Sequence, residues 1–235
     1  MGLGVPVANI LTVAETGSTN DALASMALEG AVEGLWLRAE RQTGGKGRLG
    51  RAWVSPPGNL HASSLVRIQP GDPPAPTLAL VAVVALHEVA SIYAPGVQIK
   101  WPNDLLFDGA KLAGILLERL EDAVVIGFGF NLAHVPEGLD RPATSLKLLA
   151  GMAPEPAPFT EILAESFGRW LARWRSEGLA PVRRQWLAGA HPLGTALRTQ
   201  EGEGLFDGLD ADGALRLRLA DGTLRFIHAG DVFLI

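Results

Sequence analysis

Apolar and polar residues along the first half of the chain follow periods that predict strands and helices in turn. STNDALASMALEG (18–30) predicts a helix with Ser18 or Thr19 as its N-cap and Gly30 at its end. GLWLRAER (34–41) and LHASSLVRI (60–68) predict strands. The longest apolar run, LALVAVVAL (78–86), is about half of the ~18 residues that a membrane span needs. It therefore predicts a buried helix, which we place at 77–93.

The second half predicts three more strands, a long helix and then a region of short strands. VQIKW, KLAGILLE and AVVIGFGFNL are the strands, separated by PNDLLFDGA, in which Asp108 and Gly109 suit a hairpin turn. The segment 158–178 has helical periodicity, and its apolar side is expected to carry Ile162, Leu163, Phe167, Trp170, Leu171 and Trp174. The composition changes near Pro181, and from His191 short strand-like segments alternate with Gly and Asp turns. These elements predict an α+β domain followed by a small β-barrel or sandwich.

Composition and charge narrow the class of protein. The chain has 235 residues, is 48% hydrophobic and carries a formal net charge of −5. This composition is enough to bury a core, and the charge argues against a general nucleic-acid binder. The absence of cysteine excludes disulfides and thiolate-bound metals. The N-terminus lacks a signal-peptide pattern, and Pro6 stands where myristoylation needs a hydroxyl residue. We expect a soluble, cytoplasmic protein without a membrane segment.

The stretch GGKGRLGRAW (44–53) resembles two nucleotide-binding motifs but has the context of neither. Its glycines fit G-x-G-x-x-G, yet prolines follow where a dinucleotide-binding fold needs a helix. As a P-loop it fails because Glu40 replaces the first glycine and Gly47 replaces the hydroxyl residue. What remains is a flexible loop whose cations, Lys46, Arg48 and Arg51, could enclose an anion, or equally an ordinary solvated loop.

Three further segments combine polar residues with strand ends. KWPNDL (100–105) places a cation, an indole and two polar side chains between strands, KLAGILLE begins on Lys111, and GFGFNL brings Asn131 to the end of a strand. Each has a structural interpretation by itself: Lys111 as a strand-edge lysine, Asn131 as a turn residue and Trp101 as core.

Taken together and in this order, these segments resemble the biotin protein ligases. The resemblance rests on GSTN, RQTGGKGRLGRAW, IKWPNDL, KLAGILLE and GFGFNL, supported by RPATSL and GLDADGALRLRLADG, and it covers the chain from about residue 12. It implies a mixed-sheet catalytic domain of the class II synthetase type over 1–189 and an SH3-like β-barrel over 190–235. Lys46 stands where the family most often has arginine, which keeps the charge and loses the bidentate geometry. With GSTN beginning at Gly17, we expect no DNA-binding segment before it and no binding to nucleic acid.

The resemblance also implies a reaction. Biotin and ATP would react to biotinyl-5′-AMP, with Mg²⁺, and the biotinyl group would pass to a lysine of the biotin carboxyl carrier protein of acetyl-CoA carboxylase or a related carboxylase. Lys111 and Arg48 would be catalytic. The residues implied at the biotin are Ser18, Thr19, Asn20, Gln42, Gly45, Lys46, Arg48, Lys111 and Gly114. Those implied at the ATP are Arg48, Arg51, Trp53, Asn103, Lys111 and Asn131. Asp104 is the candidate for the Mg²⁺ environment.

Two alternatives stay open at this point. A lipoyl-type protein ligase would share the fold and the adenylation chemistry, although a dithiolane offers nothing for Ser18 or Asn20 to hydrogen-bond. A catalytically silent biotin-binding regulator is the other alternative, although the chain keeps Lys111, Arg48 and Trp53. Homodimers occur in the family, and no stretch of this sequence dictates one.

Overall fold

A computed structural model describes residues 9–136 and 141–235. Seven strands form the first sheet: β1 Asn9–Thr16, β2 Leu35–Gln42, β3 Leu60–Arg67, β4 Gln98–Lys100, β5 Asp104–Phe107, β6 Ala110–Leu120 and β7 Ala123–Phe130. The helices are α1 Thr19–Leu28, α2 Leu78–Tyr93, α3 Leu146–Ala150, α4 Pro156–Glu177 and α5 Leu179–Gly189. Five short strands follow: β8 Ala196–Thr199, β9 Gly202–Leu209, β10 Leu215–Arg218, β11 Leu224–Ile227 and β12 Phe233–Leu234.

The first sheet has the order β1-β2-β3-β7-β6-β5-β4 and is mixed. β1 and β2 are parallel, because α1 connects them, and the remaining neighbours are antiparallel. On one face α2 packs between the sheet and α4, and it buries almost every apolar side chain it carries. Ala75–Tyr93, which is α2 with the short turn before it, is long and apolar enough to cross a membrane, but its burial marks it as the core helix of the domain.

The other face of the sheet is covered by α1 and holds the smaller of two apolar clusters, centred on Leu23 and Leu37. Ser18 is the N-cap of α1, and its hydroxyl accepts the Asp21 N–H as the sequence predicts. The cap brings the first turn of α1 against β3, β6 and β7, where the polar residues described below lie.

The last five strands form a separate antiparallel sheet in the order β11-β10-β9-β8-β12. It contacts the first domain through hydrogen bonds from the Trp101 indole N–H to the Gly213 carbonyl and from Arg183 to the Leu209 carbonyl. The mixed-sheet fold with flanking helices and a small all-β domain is thus confirmed. We retain the domain boundary at 189/190 as a proposal, which falls between α5 and β8.

Some sequence expectations need correction. PNDLLFDGA is not only a connection, because it contains the strand β5 that pairs with β4 and β6. Ile162 was placed on the buried side of α4, but it is 38% exposed, because it lies at the margin of the stripe formed by Leu163, Phe167 and Trp170. The strand β1 and the helix α5 were not predicted; β1 is an edge strand whose exposed residues lack clear alternation.

Arg175 on α4 ties the edge of the first domain together. Its guanidinium forms a bidentate pair with Glu33 at 2.6 and 2.8 Å and a second pair with Asp72 at 3.2 Å. Burial raises the pKa of the Glu33 carboxyl, but hydrogen bonds from Arg175 and from the Arg67 backbone outweigh it and hold that pKa below its ordinary value.

We expect Arg175→Met to lower the free energy of unfolding by about 2–3 kcal/mol at pH 7, because two largely buried carboxylates lose their partner. Arg173→Met, two residues away, removes an exposed pair with Glu177 and should leave the free energy of unfolding close to that of wild type. Because the Glu33 pKa is lowered on folding, the contribution of the pair is present above the ordinary carboxyl pKa and is lost as the pH falls through the lowered value. Urea unfolding at pH 7 and in acid measures the free energy of unfolding of each variant and its pH dependence. If the two variants lost the same free energy of unfolding at pH 7, the stabilising role of Arg175 would be contradicted.

Candidate functional site

A cavity of about 260 Å³ opens on the α1 side of the first sheet, between the glycine-rich loop and the β-hairpins β4–β5 and β6–β7. The sequence-predicted site residues that line it are Ser18, Thr19, Asn20, Gln42, Lys46, Arg48, Arg51, Trp53, Asn103, Asp104, Lys111, Gly114 and Asn131. Segments far apart in the chain therefore meet at one place.

One end of the cavity is a connected set of hydrogen-bonding side chains. Thr19 donates both its backbone N–H and its hydroxyl to the Gln42 side-chain oxygen, at 2.8 and 3.0 Å. The Gln42 amide N–H donates to Ser55 at 2.9 Å. Asn20 accepts from Ser63 at 2.6 Å and donates to Glu118 at 2.7 Å. These hydrogen bonds hold Thr19 and Gln42 in position at this end of the cavity.

The floor of the cavity is bare backbone on β7. In the segment GFGF, Phe128 and Phe130 point into the core, so Gly127 and Gly129 face the cavity side. A Cβ at Gly127 would lie 2.3 Å from the Asn20 side-chain oxygen, and one at Gly129 would lie 2.5 Å from the Trp53 ring. These glycines leave the space that Asn20 and Trp53 occupy.

The other end of the cavity is cationic. Asp104 pairs with Lys111 at 2.8 Å and with Lys100 at 3.3 Å. Burial would raise the pKa of the Asp104 carboxyl, but the two ammonium groups outweigh it and hold the pKa below its ordinary value. Burial lowers the pKa of the Lys100 ammonium. Because one carboxylate serves two lysines, the set has one uncompensated positive charge, which suits an anion.

Trp53 links the loop to this cationic end. Its ring centroid lies 5.5 Å from the Lys111 Nζ, a cation–π contact, and its indole N–H is buried without a hydrogen-bond partner. A ligand that enters between Trp53 and Lys111 could accept that N–H.

The glycine-rich loop is tied to the C-terminal domain. One terminal nitrogen of the Arg51 guanidinium donates to both carboxylate oxygens of Asp231, at 3.0 and 3.1 Å. Arg48 donates to the Gly230 carbonyl at 3.1 Å, and its guanidinium lies 3.8 Å from the Asp231 carboxylate. Lys46 points elsewhere and pairs with Asp21 on α1 at 2.7 Å. The two arginines therefore close the loop over the cavity from the C-terminal side.

Three predicted residues have contacts that the sequence did not suggest. Gly45 is not among the described residues that line the cavity; a Cβ there would lie 2.4 Å from the Trp53 carbonyl, so its close approach is to the chain itself. The Asn103 amide donates to the Ile115 carbonyl and thereby holds β6. The Asn131 amide donates to the Thr144 carbonyl at 3.1 Å, while its oxygen is buried without a partner.

The residues around Asp104 do not fit a protein-held Mg²⁺ site. Both carboxylate oxygens are engaged by lysines, and the described residues contain no group of three or more His, Asp or Glu side chains that could hold a metal. Magnesium in phosphate-binding sites is held largely by the substrate phosphates and water. We therefore derive no step through a metal bound to Asp104.

The sequence did not lead us to assign a ligand contact to several residues that line the cavity. Lys100, Arg141 and Asp231 line the cavity. The Gly–Phe alternation of β7 was a usable signal for a bare strand face, whereas Asp231 lies 180 residues from Arg51 and has no local signal.

Comparison with known proteins gives consistent matches over the whole chain. The sequence model of the biotin/lipoate A/B protein ligase family matches residues 14–131, and that of the biotin protein ligase C-terminal domain matches 195–235. The biotin–[acetyl-CoA-carboxylase] ligase of Paracoccus denitrificans is 39% identical over 94% of this chain and 98% of its own. The enzyme of that name from Mycobacterium tuberculosis is 32% identical over 99% of this chain and 91% of its own.

Among solved structures, the biotin protein ligase of Aquifex aeolicus in complex with biotin and ATP superposes with a TM-score of 0.87 at 25% identity, over 97% of this chain and 99% of that one. The regions matched by the two family models include every residue that lines the cavity except Pro136 and residues 141–143. The chain is therefore a member of the biotin protein ligase family.

Proposed function

We propose that the protein is an ATP-dependent ligase that activates biotin as biotinyl-5′-AMP and transfers the biotinyl group to a lysine of a biotin carboxyl carrier protein. The observation that carries the proposal is the polarity of the cavity. One end offers fixed neutral donors and acceptors at Thr19 and Gln42, which suit a ureido ring. The other end offers Lys111 and Lys100, which suit a carboxylate beside a phosphate.

In the first step a biotin carboxylate oxygen attacks the α-phosphorus of ATP, and the bond to pyrophosphate breaks. Two anions must approach each other, and a cation between them offsets their repulsion. Lys111 lies near the start of β6, lines the cavity and can contact both groups once Asp104 shares its charge with Lys100. Arg48 reaches the same region from the loop.

In the second step a carrier lysine amine attacks the carbonyl carbon of the mixed anhydride, AMP leaves, and the amine loses a proton. Neither step needs an enzyme nucleophile, which agrees with the lack of cysteine in the chain. Trp53 and the unpartnered Asn131 oxygen are proposed to contact the adenine, with Asn103 positioning β6 beside it.

The lipoyl-ligase and silent-regulator alternatives are disfavoured by particular features of the site. A dithiolane ring has no groups that could hydrogen-bond to Thr19 and Gln42, which disfavours a lipoyl ligase. The cationic end retains Lys111 paired with Asp104, which disfavours a catalytically silent regulator. The relatives described above carry the name of biotin ligases.

The test is to incubate the protein with ATP and either biotin or lipoate, with and without a biotin carboxyl carrier domain. We expect biotin-dependent pyrophosphate release and labelling of one carrier lysine. Labelling by lipoate instead would replace the proposal with a lipoyl ligase, and biotin binding without pyrophosphate release would indicate a regulator.

A cytoplasmic location and the absence of DNA binding remain proposals as well. The second is supported by the formal net charge of −5, which disfavours attraction to a polyanion.

A further inference from the structure

Two side chains contact Asn20 at the polar end of the cavity, although neither is among the described residues that line the cavity. Ser63 lies on β3 and Glu118 on β6, and both contact Asn20. Gly127 provides the room, since any Cβ there would collide with the Asn20 amide. The three strands thus enclose one asparagine amide behind Thr19.

Glu118 determines which way that amide faces. A carboxylate only accepts hydrogen bonds, so the atom 2.7 Å from Glu118 must be the Asn20 nitrogen. The Asn20 oxygen then faces Ser63 at 2.6 Å. Turning the amide over would place its oxygen against the carboxylate, which is repulsive.

The amide direction in turn decides where the Ser63 hydrogen goes. Ser63 has one hydroxyl hydrogen and two acceptors in reach, the Asn20 oxygen at 2.6 Å and the Thr19 hydroxyl oxygen at 2.8 Å. In the observed orientation the hydrogen is shared with Asn20. If the amide turned over, its nitrogen would donate to Ser63, and the Ser63 hydrogen would go wholly to Thr19. One of the two acceptor positions on the Thr19 hydroxyl would then be occupied, and that oxygen would be a poorer acceptor for a ligand.

We propose that Glu118 is a positioning residue that keeps the Thr19 oxygen available to accept a hydrogen bond from a ureido N–H of biotin. The inference rests on the proposed function. Thr19 lines the cavity and donates its own hydrogen to Gln42, so its oxygen can act toward a ligand only as an acceptor. Glu118 acts through Asn20 and Ser63 and sets the direction of the whole chain of hydrogen bonds.

The test is Glu118→Gln, which keeps the size of the side chain but can both donate and accept, so that Asn20 can adopt either orientation. Glu121→Gln is the matched control, because it removes the same charge from an exposed position in the β6–β7 turn. Pyrophosphate release is measured with biotin and with the two cyclic carbamate analogues in which one ureido N–H is replaced by oxygen.

We expect Glu118→Gln to raise the KM for biotin about five- to tenfold, as for one weakened hydrogen bond, with kcat and the KM for ATP within about twofold of wild type. Its preference for biotin over one carbamate analogue should fall by a similar factor. Glu121→Gln should change none of these values. In a Ser63→Ala background the effect of Glu118→Gln on the biotin KM should largely disappear, because the path to Thr19 is cut.

An unchanged biotin KM would overturn the inference. So would an equal rise for biotin and both analogues, because it would indicate general loss of packing rather than loss of one acceptor. A wild-type protein that releases no pyrophosphate with biotin would overturn the proposed function itself, and this inference with it, before any variant is compared.

Discussion

Replacing Lys111 by alanine is expected to reduce biotin-dependent pyrophosphate release by about 100-fold or more, because a charge-assisted contact to developing phosphate charge is lost. Lys111 lines the cavity, and its ammonium lies 5.5 Å from the centroid of the Trp53 ring. Asp104 would keep Lys100 as its partner, so the buried carboxylate is not left uncompensated. The fold should therefore remain intact.

The matched control is Lys147→Ala, which removes an exposed lysine from α3. Both variants should show the thermal unfolding of wild type, and only Lys111→Ala should lose activity. Near-normal pyrophosphate release by a folded Lys111→Ala protein would refute the catalytic assignment.

Replacing Arg48 by glycine is expected to leave adenylate formation active while the adenylate leaves the enzyme about tenfold faster, as for the loss of about one charged hydrogen bond. Arg48 holds the loop against Gly230 and Asp231, and Lys111 remains in place for the first step. The added glycine also raises the entropy of the open loop. A reactive anhydride released in this way should label lysines of unrelated proteins.

Leu49→Gly is the matched control for Arg48→Gly. Leu49 already has a positive φ of 58°, so glycine fits there and adds freedom without removing a cation. The measurement is a biotin blot of albumin mixed with enzyme, ATP and biotin. If Arg48→Gly labels albumin no more than Leu49→Gly does, the loop is not what retains the adenylate.

Much of the fold was predictable because its signals are local. The cap at Ser18, the apolar run of α2 and the turn at Asp108 and Gly109 each occupy a few consecutive residues, and all three were found. The edge strand β1 was missed because half-exposed edge positions have no strict period of two.

The site was predictable only in part, and for a different reason. The segments that line the cavity could be recognised together, yet their contacts depend on pairings across the fold. Glu118 reaches Asn20 over 98 positions of sequence, and Gly45 packs against the Trp53 carbonyl. No short window contains these relations.

The glycines on β7 also set how the substrate range of this enzyme can change. A bulkier head group or base would press Asn20 and Trp53 against the main chain at Gly127 and Gly129, and main chain cannot move aside by changing rotamer. At the cationic end, long side chains such as Lys100 and Arg141 can shift to accommodate a different anion. The cavity wall is thus rigid along β7 and adaptable at the cationic end. Ligand analogues that are larger on the side facing β7 should therefore not bind. A redesigned protein that binds them would need a shifted β7 backbone.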